Sequence, residues 1–287
     1  MKALSGKVAV VTGASRGIGK GIALALAAEG ATVYVTGRTL TEGASPLPGT
    51  IGETAEACNR RGGKGVAVQV DHGCDEQVAA LFEKVRQEQG ALDILVNNAF
   101  ALSDDLINPE GFWEKPLSNW NMMEVGVRSN FVSAWHAANI MVPKKSGLIV
   151  AISGYTGVAY TYGVVFGTSK SAVDRMARDM AIELKPHQVT SIALWQGLTL
   201  TERAKINLAT NPELKGSAAT RPEEACSTEF AGRVIAALAQ DSALVKRSGG
   251  TFITAELANQ YGVVDIDGKV IPSLRKSRGA PIWTPIE

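Results

Sequence analysis

The stretch KVAVVTGASRGIGKGIALALAAEG, Lys7 to Gly30, decides the fold. KVAVVT (Lys7–Thr12) is an apolar, β-branched run and reads as a buried strand. GIGKGIALALAAEG (Gly17–Gly30) has helical spacing and ends at a glycine stop. Gly13, Gly17 and Gly19 lie at the junction. Gly13 permits a tight turn. Gly17 lets the backbone approach a pyrophosphate, and Gly19 lets the helix pack close to the sheet. The helix N-terminus then offers free N–H groups and a partial positive charge to phosphate. Glycines alone are weak evidence, but here strand and helix flank them as that mechanism requires.

Working outward, the alternation continues. Strands are expected at Ala31–Gly37, Gly65–Asp71, Ala91–Ala99, Gly147–Ser153, Val189–Trp195 and Gly250–Thr254. Helices are expected at Ile51–Arg61 and Asp75–Gln89, and near 119–142, 166–184 and 229–240. Strands this apolar must be covered on both faces. The pattern therefore implies an α/β protein with a doubly wound, mostly parallel sheet. No linker, repeat or low-complexity segment interrupts it, so residues 1–287 are expected to form one domain. Thr39–Thr50 and Phe100–Ser118 are long loops after strands, where ligands of such sheets bind. The long loop at 100–118 and the region from 202 to 287 are expected on the substrate side.

Composition excludes several classes. The net charge of +1 and the absence of like-charge runs imply no nucleic-acid partner. Cys58, Cys74 and Cys226 have neither disulfide-framework nor metal-ligand spacing, and His72, His136 and His187 are scattered; no metal site is expected. Reduced thiols suit a cytoplasmic protein. The N-terminus lacks the apolar core of a signal peptide, and no stretch reaches a membrane span, so no membrane association or anchor is expected.

The second strand bears on nucleotide choice. Selectivity for NAD usually needs an acid near its end, to bind the ribose 2′-hydroxyl. The sequence there is YVTGRT, with no acid before Glu42. Arg38 stands near the expected place and Arg16 lies in the glycine turn. Two guanidinium groups suit a 2′-phosphate, which favours NADP(H) over NAD(H).

TGASRGIG, Asp71 after strand three, Asn97-Asn98-Ala99 after strand four, then a serine and x-x-x-Lys together resemble a short-chain dehydrogenase/reductase, over nearly the whole chain. A narrower likeness within that family is carried by FWEKPLSNW (Phe112–Trp120), VGVRSNF (Val125–Phe131) and AELANQYGVVDIDG (Ala255–Gly268). The resemblance implies a Rossmann-type three-layer α/β/α fold. It also implies oxidoreductase activity on a small carbonyl compound or the matching alcohol, and a homodimer or homotetramer. Gly13, Ser15, Arg16, Gly17, Ile18 and Gly19 would line the pyrophosphate, and Arg38 with Thr39 the adenosine phosphate. Asp71 and His72 would approach the adenine, and Asn98 with Ala99 the ribose. Gly197, Thr199 and Thr201 match the segment that receives the nicotinamide carboxamide. Ser153 and Lys170 match the catalytic serine and lysine.

Four departures stand against the pattern. Phe100 follows Asn-Asn-Ala in place of glycine. Gly126 falls where many members carry a catalytic asparagine. Gln196 replaces a proline. Phe166, four residues before Lys170 and thirteen after Ser153, stands where the family has its catalytic tyrosine. Phenylalanine has no proton to give. Three readings stay open: the proton comes from water or another group, with Tyr155, Tyr160, Tyr162, Asp104 and Asp105 as candidates; the protein is an impaired NADP(H)-binding pseudoenzyme or partner subunit; or Phe166 replaces the tyrosine of an active form.

Overall fold

The computed structural model describes residues 2–210 and 224–286. In chain order the elements are β1 (Val8–Val11), α1 (Gly17–Ala28), β2 (Thr32–Gly37), α2 (Ile51–Arg60), β3 (Lys64–Gln69), α3 (Asp75–Gln89) and β4 (Ile94–Asn97). Then follow α4 (Asn121–Met123), α5 (Ser129–Lys144), β5 (Gly147–Gly154), α6 (Val164–Leu184), β6 (Val189–Gln196) and α7 (Glu202–Thr210). The chain finishes with α8 (Phe230–Leu238), β7 (Thr251–Ile253), α9 (Thr254–Tyr261) and α10 (Arg275–Arg278). Among the described residues, seven strands flanked by helices make up the doubly wound parallel α/β class that the alternation implied.

The described chain divides into two compact units. The first holds Met1–Val70, Gln196–Leu244 and Ile253–Ser273. Its strands run in the order β3-β2-β1, with Val8 opposite Thr32 and Thr32 opposite Lys64. All four residues of β1 are buried, as a central strand covered on both faces requires. α2 opens on a capping box: the Thr50 hydroxyl accepts from the Glu53 N–H while the Glu53 carboxylate accepts from the Thr50 N–H. α1 packs so tightly that a Cβ on Gly21 would lie 2.0 Å from the Thr228 carbonyl oxygen. Gly21, outside the glycine motif, therefore has no room for a side chain where α1 meets the Thr228 backbone.

The second unit holds Asp71–Trp195, Val245–Phe252 and Leu274–Glu287. Its strands run in the order β4-β5-β6-β7, and Ile94 pairs with Leu148. β6 is buried along its whole length, and Trp195 is fully buried. The helix expected over 119–142 is interrupted: a π-helical turn spans Glu124–Arg128 before α5. Such turns leave backbone groups displaced from the regular ladder. Here the Asn130 side chain donates to the Gly126 carbonyl (2.8 Å) and the Asn97 side chain to the Asn130 carbonyl (3.1 Å).

Cys58, Cys74 and Cys226 are free thiols. Among the described residues, no helix is long and apolar enough to cross a membrane. Residues 211–223 of the expected substrate-side region lie outside the described residues.

Candidate active site

In the first unit, the glycine turn has the backbone its motif demands. Gly13 and Gly17 have φ of 65° and 58°, in the left-handed region that side chains disfavour. Ser15 is buried, Ile18 is half-buried, and Gly19 lies buried in the first turn of α1. Arg16 caps α1 with backbone only; its side chain makes no cap bond. The guanidinium turns instead to the following loop, donating to the carbonyls of Pro48 (2.9 Å) and Gly49 (2.8 Å) and to the Thr39 hydroxyl (3.1 Å). The loop closes onto this turn because Gly49 has no side chain: with φ of 101°, a Cβ there would sit 2.6 Å from the Ser15 carbonyl oxygen. Burial lowers the Arg16 pKa, Glu202 opposes that shift, and Arg203 and Arg38 add to it. Arg203 and Arg38 thus both bear on Arg16, and Arg38 is exposed. Arg203 is the member that sequence reasoning missed.

The segment Gly197–Thr201 is held by a parallel bridge between Thr199 and Cys226. The Thr201 hydroxyl accepts from the Ala204 N–H (3.2 Å) and so caps α7. The next residue was not anticipated either. The Gly17 N–H, at the start of α1, donates to Glu202 Oε2 at 2.9 Å. A carboxylate therefore takes up a first-turn N–H of α1, a backbone donor with no partner inside its own helix.

In the second unit, Phe166 sits in the first turn of α6, and Lys170 lies one turn on. The Phe166 ring meets Phe100 edge-on at 5.3 Å and Tyr162 edge-on at 5.3 Å. Lys170 Nζ lies 4.3 Å from the Phe100 ring centre and 5.7 Å from that of Phe166, and donates to the Ile152 carbonyl at 3.1 Å. A cation over an aromatic face is attracted by the ring quadrupole. Two departures noted in the sequence are one structural unit: a Cβ on Gly126 would lie 2.4 Å from the Phe100 ring. The missing side chain on the π-helical turn is the space that Phe100 fills.

The Ser153 hydroxyl donates to the Lys170 carbonyl at 3.3 Å, so Ser153 is tied to the same turn of α6. Four residues beyond Lys170 is Asp174, buried, with its carboxylate accepting from Trp195 Nε1 at 2.8 Å. Burial pushes the Asp174 pKa up to about 6, against the pull of Ser153, Trp195 and the Lys170 charge. Burial pulls Lys170 down to about 8, with Asp174 opposing. Asp174 and Trp195 were missed in the sequence, although the i, i+4 spacing from Lys170 could have flagged the acid.

The Lys170 shift carries a stability consequence. The unfolded chain holds that proton up to about pH 10.5, and the folded chain only to about 8. A depressed lysine pKa withholds stability below the folded value and restores it as pH rises toward the unfolded one. Lys170→Met is therefore expected to melt at a higher temperature than the parent at neutral pH. The advantage shrinks toward pH 10, as thermal melts across pH would show. A constant difference would mean that burial of the charge is not the cause.

The candidate replacement acids sort by contact. Tyr155 tilts against Trp195 at 5.2 Å, and its hydroxyl accepts from the Leu274 N–H. Tyr160 is 84% exposed. Tyr162 touches Phe166, and burial raises its pKa, with Arg278 opposing. Asp105 braces its own loop, accepting from Asn119 Nδ2 at 3.0 Å and from Ser103. Of the positions assigned to the adenosine, the Asp71 N–H donates to Gln77 and the Asp71 carboxylate accepts from the Gly73 N–H. His72 is buried and neutral, its pKa lowered to about 4 by burial with Asp71 opposing. Asn98 is half-buried and Ala99 buried, directly after β4. Among the described residues, no group of three potential metal ligands occurs.

Residues 7–211 match the family described as short chain dehydrogenase. The chain is a short-chain dehydrogenase/reductase. It is 39% identical over 276 residues to the human protein "Dehydrogenase/reductase SDR family member 1", covering 93% of this chain and 86% of that one. It is 31% identical over 210 residues to a 3-oxoacyl-[acyl-carrier-protein] reductase of Aquifex aeolicus, covering 71% of this chain and 78% of that one. Among solved structures, a putative dehydrogenase from Xanthomonas campestris superposes with a TM-score of 0.77 at 27% identity, covering 94% of this chain and 98% of that one. As a short-chain dehydrogenase/reductase, the protein belongs to an oxidoreductase family that uses NAD(P)(H). The narrower likeness read from Phe112–Trp120 and Ala255–Gly268 agrees with the human relative.

Proposed function

We propose that this short-chain dehydrogenase/reductase is NADP(H)-dependent and reduces a small carbonyl compound, or oxidises the matching alcohol. Bound NADP(H) would supply or accept the hydride. The names of the two relatives, a dehydrogenase/reductase and a 3-oxoacyl reductase, support carbonyl chemistry. The observation that carries the reading is Lys170. A half-buried ammonium that donates to the Ile152 carbonyl beside the Phe100 ring, with its pKa pulled down to about 8 by burial, is placed to act on a bound ligand.

In this reading the glycine turn, with Gly13, Ser15, Gly17, Ile18 and Gly19, holds the pyrophosphate. Asp71, His72, Asn98 and Ala99 line the adenosine, and Gly197, Thr199 and Thr201 orient the carboxamide. Lys170 holds the nicotinamide ribose, and Ser153 polarises the substrate oxygen. Phe166 and Phe100 give the site an apolar wall and no acid, so the proton reaches the nascent alkoxide from water or from another side chain. The loop at 100–118 borders the substrate within one catalytic domain. It presents exposed aromatics, with Phe112 edge-on to Trp113 at 5.4 Å. The protein acts in the cytoplasm as a homodimer or homotetramer.

The test is binding of NADPH to purified protein by calorimetry, with NADH as control. NADPH is expected to bind more tightly. Arg38→Ala is expected to raise the Kd for NADPH roughly tenfold, the effect of losing charge-assisted hydrogen bonds to phosphate, and to leave NADH nearly unchanged. Equal affinities for the two nucleotides would overturn the preference for NADP(H).

A further inference from the structure

We infer that Glu202 is a built-in competitor for the anion site of the glycine turn, a carboxylate that the pyrophosphate of a dinucleotide must displace. The inference rests on the cofactor reading above and adds to it a residue that sets affinity by opposing the ligand.

The argument starts from the donor. The Gly17 N–H opens α1 and has no partner within the helix, as for every first-turn amide. Glu202 Oε2 takes it at 2.9 Å. A carboxylate and a phosphate want the same thing at such a place: a backbone donor and the positive end of a helix. One amide cannot serve both at full strength, and two anions crowded at one helix end repel.

The carboxylate is delivered by a fixed segment. Leu200 donates to the Cys226 carbonyl (3.2 Å) and Cys226 to the Leu198 carbonyl (2.9 Å). Thr201 caps α7 through its hydroxyl and receives the Lys205 N–H on its carbonyl at 2.9 Å. Its methyl group would lie 3.6 Å from a Cβ on Gly17. The backbone is therefore anchored beside the turn, while the Glu202 side chain, half-exposed, is held there by its bond from Gly17.

Release is inexpensive for the protein. Glu202 is the first residue of α7, so a carboxylate swung away from Gly17 stays near the positive end of its own helix. Glu202 also acts electrostatically on Arg16, whose guanidinium is bonded to Thr39, Pro48 and Gly49, so an incoming phosphate replaces one negative charge near it with another. The exchange is one anion for another on the same donors, with the protein's own anion covering them when the nucleotide is gone.

Glu202→Gln keeps size and hydrogen bonding and removes the charge. It is expected to lower the Kd for NADPH by roughly three- to tenfold at low salt, the scale of one charged contact at a helix end. The gain shrinks as ionic strength rises, because partly exposed charges are screened. Affinity for 2′-AMP, which has no pyrophosphate and meets the Glu202 charge only through Arg16, is expected to change less than that for NADPH. Glu202→Asp keeps the charge but shortens the reach, and is expected to tighten NADPH as well. Calorimetry with both nucleotides, after a thermal melt confirms folding, decides the matter. Unchanged NADPH affinity in Glu202→Gln would overturn the inference while leaving the cofactor reading intact. Equal tightening of NADPH and 2′-AMP would overturn it too, by making Glu202 a distant charge. A parent protein that binds neither nucleotide would sink the cofactor reading and this inference with it.

Discussion

Replacing Phe166 with tyrosine is expected to raise NADPH-driven turnover of carbonyl substrates by about 10²–10⁴, the usual worth of a positioned acid. The surroundings suit the change. Phe166 and Lys170 lie one turn apart on α6, so a hydroxyl on that ring and the ammonium would share a helix face. Lys170 already carries its charge near the Phe166 ring, 5.7 Å from its centre. A cation at that range favours the ionised phenol and would lower the new tyrosine's pKa from about 10. The added atom is one oxygen, so little repacking is required. Turnover is to be measured across a panel of ketones and aldehydes, with NADPH affinity determined beside it. An increase in kcat at constant nucleotide affinity is the expected signature. No gain with any carbonyl, in a variant that still binds NADPH, would point to a protein that holds its cofactor without catalysing reduction.

The second large effect concerns Phe100 and Gly126. Gly126→Asn would restore the residue that many family members carry there. It is nonetheless expected to destabilise this protein by about 1–3 kcal/mol, the usual cost of overpacking. The new Cβ would fall 2.4 Å from the Phe100 ring, and that ring is itself held against Phe166 and over Lys170. Phe100→Gly alone is expected to leave a cavity beside Lys170. The double variant is expected to recover most of the Gly126→Asn loss, giving a coupling that urea unfolding of the four proteins would measure. Additive losses would show that the ring and the glycine are independent.

How far these features were legible in the sequence follows from how local their causes are. The strands and the glycine turn were readable because β-branched runs and positive-φ glycines answer to neighbouring residues. Lys170 and Phe166 were readable by spacing along one helix. The break in the helix over 119–142 was not, since a π-helical turn leaves no proline or cap in the sequence. Phe100 and Gly126 each looked like a separate loss; only packing shows that one makes room for the other. Glu202 was out of reach for a similar reason. It lies 185 residues from Gly17, and nothing in either stretch announces the bond. Asp174 was within reach, one turn past Lys170, but a buried acid looks like any other helical aspartate until Trp195 is seen to hold it.

The contact between Gly21 and Thr228 bears on how the chain is made. α1 is synthesised early, yet the backbone it packs against lies about two hundred residues later. Contacts so distant in sequence are slow to form, because a long loop must close before they are gained. While the ribosome is still short of residue 228, the apolar side of α1 has no partner of this kind. The nascent first unit can thus tie its glycine turn to Thr36 and the loop at 39–50 early, while the close contact of α1 at Gly21 must wait for most of the chain.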